Sequence, residues 1–282
     1  MRTPRTSRRR NRRPARKLTA SQRRARSPRH PSAAELLFLR ACRLATKLWS
    51  NAVAGVLYPK LSRFASEPDF KSDAEDEPDD DREDDVRSVM AEAESAGRRS
   101  FSEDYIDRMS GTTAKRVQQH TAAETKRLGI PLKDSDPKIV PLVDAWRKTN
   151  VARIKGMQAD QLAKIEKVLR EGATMRPDTL AKRIREQVED IPESRTKFIA
   201  RSQTLLLNAK ITQARHTAAG IEKYIWSASN DARVRDSHQE IDGETFSWND
   251  PPNVDGEFVH PGEAANCRCV PCPVLEELQD EV

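Results

Sequence analysis

Aromatic side chains make up only 5% of this chain, and hydrophobic residues of every kind only 36%. Against 33% charged residues over 282 positions, that is too little apolar material to pack every segment. Part of the chain is therefore expected to stay unfolded. No apolar run is long enough to span a bilayer, which argues against an integral membrane protein. The start lacks a hydrophobic h-region, which argues against secretion. Its Arg- and Ser-rich, acid-free composition also resembles a mitochondrial transit peptide, the lesser alternative. Cysteine is scarce too. Of four cysteines, three fall within six positions, so a disulfide framework is not indicated and a reducing compartment is expected.

What is present is charge, laid out in blocks. The 50 basic and 44 acidic residues nearly cancel in number but not in place. Residues 1–31 carry Arg8, Arg9, Arg10, Arg12, Arg13, Arg16, Lys17, Arg23, Arg24 and Arg26 with no acid among them. Self-repulsion and interspersed prolines predict a disordered arm. Guanidinium groups pair with phosphates and release counterions, so the arm is expected to bind nucleic acid without reading sequence. A solubilising tail is the plain alternative. Residues 60–86 are the mirror image, with Asp69, Asp73, Glu75, Asp76, Glu77, Asp79, Asp80 and Asp81 among the acids. They read as a solvated linker without the spacing of a calcium loop.

The remainder before position 222 reads as helix. Ser32 and Glu35 have capping-box spacing, and Leu36, Leu37, Leu39, Leu44, Leu48, Val53, Val56 and Leu57 supply an apolar surface up to Pro59. That makes 32–59 an amphipathic helix for core or partner docking, with a membrane-surface role less favoured. Residues 87–221 read as helical hairpins. Gly97, Gly111 and Gly129 look like breaks, Trp146, Ile154, Met157, Ile165 and Leu169 recur at helical steps, and Gly220 is a C-cap.

Residues 222–274 lose this periodicity. Tyr224 and Trp226 alternate as in a strand, and Ile241-Asp242-Gly243 reads as a hairpin turn. His238, His260, Cys267 and Cys269 are candidate ligands of a structural zinc, with Cys272 in reserve. The competing reading has the imidazoles bonded to backbone and the thiols packed in a small core. Asp231, Arg233 and Arg235 read as an ion-pair lattice. No His-Glu-x-x-His helix, nucleophile elbow or phosphate-cradling loop is present, so catalysis is the minority reading.

The order Trp226, Asp231-x-Arg233-x-Arg235-x-x-His238, Asp242-Gly243, His260-Pro261-Gly262, Asn266-Cys267-Arg268-Cys269 resembles the Mu protein F-like head morphogenesis family of tailed bacteriophages. The resemblance covers roughly residues 138–273 and leaves the arm and linker outside it. It implies a minor capsid protein of the virion, assembled in the host cytoplasm, whose partners are the portal protein, the inner capsid and packaged double-stranded DNA. Membrane is not among them. The expected fold class is mainly α-helical with a small C-terminal α+β module, closed by an acidic tail at 275–282. The alternatives are a metal-dependent nuclease and a DNA-binding architectural protein.

Overall fold

The computed structural model describes residues 18–65, 80–100, 103–132, 137–189, 193–229, 231 and 233–275. Arg8, Arg9, Arg10, Arg12, Arg13, Arg16 and Lys17, most of the acidic linker and the acidic tail lie outside the described residues. Among the described residues, helices α1 (Ala20–Arg26), α2 (Ser32–Leu57), α3 (Asp80–Ser100), α4 (Glu103–Arg127), α5 (Ile139–Glu171), α6 (Pro177–Glu189) and α7 (Glu193–Ala218) precede a small mixed module. That module is β1 (Lys223–Ser227), α8 (Asp236–Glu240), β2 (Thr245–Ser247), β3 (Asn253–Val254), β4 (Glu257–Phe258) and β5 (Val270–Pro273). The chain is mainly α-helical with a C-terminal α+β module.

The basic arm ends sooner than its composition suggests, because α1 lies inside the segment read as disordered. A capping box starts it. The Thr19 amide donates to Gln22 Oε1 at 2.9 Å and the Gln22 amide to Thr19 Oγ1 at 3.2 Å, satisfying donors that a first turn leaves unpaired. The box expected at Ser32 is not made. Pro31 is the N-cap of α2 and no side chain caps it, while Glu35 Oε1 accepts from Arg201 Nε of α7 at 3.1 Å. The acidic stretch is likewise shorter than read, since Asp80 already begins α3.

Helix α2 is the hub of the body and packs on α3, α4, α6 and α7. Its buried stripe is Ala34, Phe38, Ala41, Cys42, Ala45, Trp49, Val53 and Leu57. Leu36, Leu44 and Leu48 instead lie on the surface. Small residues let neighbouring helices come close, and the two aromatics fill the space between them. The Phe38 ring sits 5.4 Å from Trp146 of α5, and Trp146 Nε1 donates to the Gln203 carbonyl of α7 at 2.8 Å.

Gly97 and Gly111 do not break helices: α3 and α4 run through them. At Gly97 the reason is close approach to α2, since a Cβ there would stand 2.6 Å from Trp49 Nε1 and 2.9 Å from its Cδ1. We expect Gly97→Ala to lower stability by about 1–2 kcal/mol, the overpacking penalty outweighing alanine's better helix propensity. A urea midpoint equal to or above that of the parent chain would contradict this. The end of α7 follows the sequence expectation. Gly220 N–H bonds the Thr217 carbonyl at 3.1 Å and Ile221 N–H the His216 carbonyl at 2.9 Å, a Schellman closure that turns the chain into β1.

Candidate metal centre and its arginine-lined pocket

Strand β1 is the middle of a three-stranded antiparallel sheet in the order β2-β1-β5. Its register sets Tyr224 opposite Phe246, and Ile225 and Trp226 opposite Cys272 and Pro271. Tyr224 and Trp226 are fully buried with Trp248, Val254, Cys267 and Cys269 around them. A second hairpin, β3-β4, turns at Asp255 and Gly256, both with positive φ. This is the Asp-Gly signal of a type I′ turn, legible in the sequence but passed over for the turn at Ile241-Asp242-Gly243. The latter turn instead leads from α8, itself unforeseen, into β2.

The sheet brings the loop before β5 back over α8. There His238 Nδ1 lies 3.4 Å from Cys267 Sγ and 3.4 Å from Cys269 Sγ. The ligand atoms of these three residues all lie within 4.8 Å of one another, and all three side chains are buried. The His238 ring meets Trp226 edge-on, 5.4 Å away at 86°. Gly262 donates its N–H to Cys267 Sγ at 3.4 Å, and the Cys269 and Ser229 backbones bond Cys267 and Cys269 respectively. A hydrogen bond from Cys269, with help from His238, draws the Cys267 thiol below its ordinary range. The same bond, with burial, holds Cys269 up.

His260, expected as the fourth ligand, does not converge on this group. Gln213 Nε2 donates to its Nε2 at 3.2 Å, so Nδ1 carries the proton and bonds the Tyr224 hydroxyl at 2.8 Å. Both ring nitrogens are thereby used. Cys272 lies on β5, buried against Ser27, and burial raises its thiol pKa. Cys42 sits in the helical body, pushed up to about 12 by burial.

The His260-Pro261-Gly262 turn fits closely against α7. Gly262 has φ +87°, and a Cβ there would stand 3.2 Å from Ala209 Cβ. Asn266, with φ +60°, donates its N–H to Ser202 Oγ of α7 at 3.0 Å. Lys210 of α7 pairs with Glu263.

Beside the His238-Cys267-Cys269 group lies a cavity of about 90 Å³ lined by Ser229, Arg233, Val234, Arg235, Asn266 and Arg268 as well as the group itself. Asp231 is not among the lining residues; its partner is Arg268, whose Nη2 reaches Asp231 Oδ1 at 2.5 Å. Arg233 supplies its backbone N–H to the same oxygen at 3.0 Å, and Arg235 donates to the Ala265 carbonyl at 3.0 Å. The Arg233 N–H and then Arg268 hold the Asp231 carboxyl below its ordinary range. Sequence reasoning missed Arg268 as this partner. It falls between the two cysteines, and only the fold sets it opposite Asp231.

Of the basic positions assigned to the arm, three fall in α1. Arg23 is buried and paired with Asp242 of the α8–β2 turn, so it is not free for phosphate. Arg26 is exposed; of Arg24 only the backbone belongs to the described residues.

Residues 160–272, which include α7, the sheet, the three converging ligands and the arginine-lined cavity, match the sequence family described as Phage Mu protein F like protein. This segment is similar to the Mu F-like proteins. The family is one of phage morphogenesis proteins. A stretch of 175 residues, 59% of this chain, is 38% identical to an uncharacterized protein of Haemophilus influenzae. The chain spans 38% of the length of that relative. No solved structure matches the chain. The matched stretch begins inside α5 and takes in all of α6 and α7; α7 holds the loops of the small module through Ser202, Lys210 and Gln213, while β1 and β5 pack on α1.

Proposed function

We propose that this chain is a minor capsid protein of a tailed phage, incorporated into the head at the portal or inner capsid wall. The observation that carries the reading is the Mu F-like match over residues 160–272. Two features of the chain support it. The acid-free run of Arg8, Arg9, Arg10, Arg12, Arg13, Arg16 and Lys17 suits a compartment dense with phosphate. Helix α2 leaves Leu36, Leu44 and Leu48 on the surface of the helical body, apolar area suited to a protein neighbour. No helix among the described residues is long and apolar enough to cross a membrane.

The test is co-expression with the portal and capsid proteins of a tailed phage, followed by mass spectrometry of gradient-purified heads. The chain should sediment with heads in a fixed ratio to portal; heads assembled without it would overturn the assignment. The arm is tested separately by removing Met1–Lys17, which leaves α1 and its Arg23 anchor in place. Loss of those nine basic residues should flatten the salt dependence of DNA binding by several units of log–log slope, at ~0.9 per phosphate neutralised. An unchanged slope would remove DNA contact from the arm.

A second reading is favoured by one observation, the cavity in which arginines face a His-Cys-Cys group. Such a site could hold a phosphodiester beside a metal, as a nuclease does. Incubation with supercoiled plasmid and divalent metals distinguishes the two. We expect intact plasmid. Nicking that disappears in His238→Ala would replace the structural reading with the enzymatic one.

A further inference from the structure

We propose that His238 Nδ1, Cys267 Sγ and Cys269 Sγ bind one zinc ion, with the fourth coordination position open toward the arginine-lined cavity. Three lone-pair donors from two elements meet at one buried place, and His238, Cys267 and Cys269 are 3%, 5% and 3% exposed. A neutral imidazole nitrogen accepts only one hydrogen bond, yet Nδ1 stands at the same 3.4 Å from both sulfurs. Zinc bonds of ~2.05 Å to nitrogen and ~2.3 Å to sulfur in a tetrahedron set nitrogen and sulfur about 3.5 Å apart. The two nitrogen–sulfur separations in the fold, 3.4 Å each, are close to that spacing.

The surroundings agree. Backbone N–H groups point at the sulfurs, from Gly262 and Cys269 to Cys267 and from Ser229 to Cys269, which is how thiolate ligands are oriented and their charge spread. Two sulfurs and an imidazole are a donor set that selects zinc over the harder magnesium or calcium. With His260 engaged by Gln213 and Tyr224, the fourth position is left to a water or small anion in the ~90 Å³ cavity that Arg233, Arg235 and Arg268 help to line. Binding would add folding free energy to a module whose sheet is short. The inference stands on this geometry and is independent of the head-protein reading.

The full-length chain, expressed with zinc in the medium and dialysed, should carry about one zinc per chain by elemental analysis. Cys267→Ser and Cys269→Ser should each reduce this at least ~10-fold, whereas His260→Gln and Cys272→Ser should keep it. Since a ligand variant could simply misfold, the parent chain is also loaded with cobalt. Thiolate-to-cobalt charge-transfer absorption together with the strong visible bands of a tetrahedral ion is expected, and inorganic phosphate should shift the visible bands. Zinc-free protein that gains no such absorption with cobalt would overturn the site. So would loss of zinc in His260→Gln equal to that in Cys267→Ser. Visible bands indifferent to phosphate and to other small anions would overturn the open fourth position.

Discussion

Replacing Asp242 by alanine is expected to destabilise the C-terminal module by about 3 kcal/mol, some two orders of magnitude in the folding equilibrium. Asp242 joins three segments that are remote in sequence. Its Oδ1 accepts the Ala228 N–H just after β1 at 2.9 Å, and its Oδ2 meets Arg23 Nη2 of α1. The two charged side chains are only 11% and 12% exposed. Removing the carboxylate strands a buried N–H and leaves the Arg23 guanidinium, which also donates to the Leu18 carbonyl at 3.0 Å, without its counter-charge. Both losses carry the desolvation penalty of the group left behind, and that is the source of the size.

Asp242→Asn keeps an acceptor for Ala228 and removes only the charge, so it should recover roughly half of the loss. The double variant with Arg23→Ala should cost less than the two single changes summed, because the guanidinium is no longer stranded. Urea melts followed by tryptophan fluorescence read the module once Trp49 and Trp146 of the helical body are replaced by phenylalanine, since Trp226 and Trp248 are buried in the module. Additive single-variant costs would show that the pair contributes nothing as a pair.

The other large effect is acid sensitivity. His216 is fully buried near the end of α7, packed against Trp248 with ring centroids 5.6 Å apart. Neither ring nitrogen has a hydrogen-bond partner among the described residues. Burial alone lowers its pKa from 6.5 to about 3. Below pH 6.5 the unfolded chain takes up a proton that the folded chain refuses until about pH 3. The unfolded state binds more protons in that window, so stability falls as the pH falls, and it is unaffected well above the window.

At about 1.4 kcal/mol per pH unit, acidifying from about pH 6.5 to about pH 4.5 should cost 2–3 kcal/mol through this residue. His30 and His260, each lowered first by burial, add in the same direction. His216→Leu removes the proton site while keeping an apolar side chain beside Trp248. Its stability should change less steeply with pH over the same interval. A slope identical to that of the parent chain would mean that His216 is not the group responsible.

Much of the helical body was legible because its signals are local. Leu180, Ile184 and Val188 sit on one face of α6 at four-residue steps, Pro177 opens that helix, and Gly220 closes α7 through bonds to Thr217 and His216. Each of these features involves residues within a turn or so of one another, so neighbouring residue types suffice. The Mu F-like order of Trp226, Asp231, Arg235, His238 and the Cys267-Arg268-Cys269 run was likewise plain along the chain.

The face of α2 that is buried was not. Leucine outranks alanine and cysteine in hydrophobicity, yet Ala34, Ala41, Cys42 and Ala45 face the core while Leu36, Leu44 and Leu48 do not. The closeness of the helices on that side decides, and closeness is a property of the packed body. Gly97 carries no break for the same reason, since its role is to admit Trp49.

The candidate metal centre divides along that line. Residue types along the chain suffice to say which side chains could ligate, because histidine and cysteine offer the softer donors and both fall in one module. Residue type could not choose between His238 and His260. Pairing of β1 with β5 draws Cys267 and Cys269 over α8 and toward His238, while Tyr224 and Gln213 hold His260 away. Those contacts close over tens of residues, and no local spacing encodes which of two imidazoles a long loop will meet.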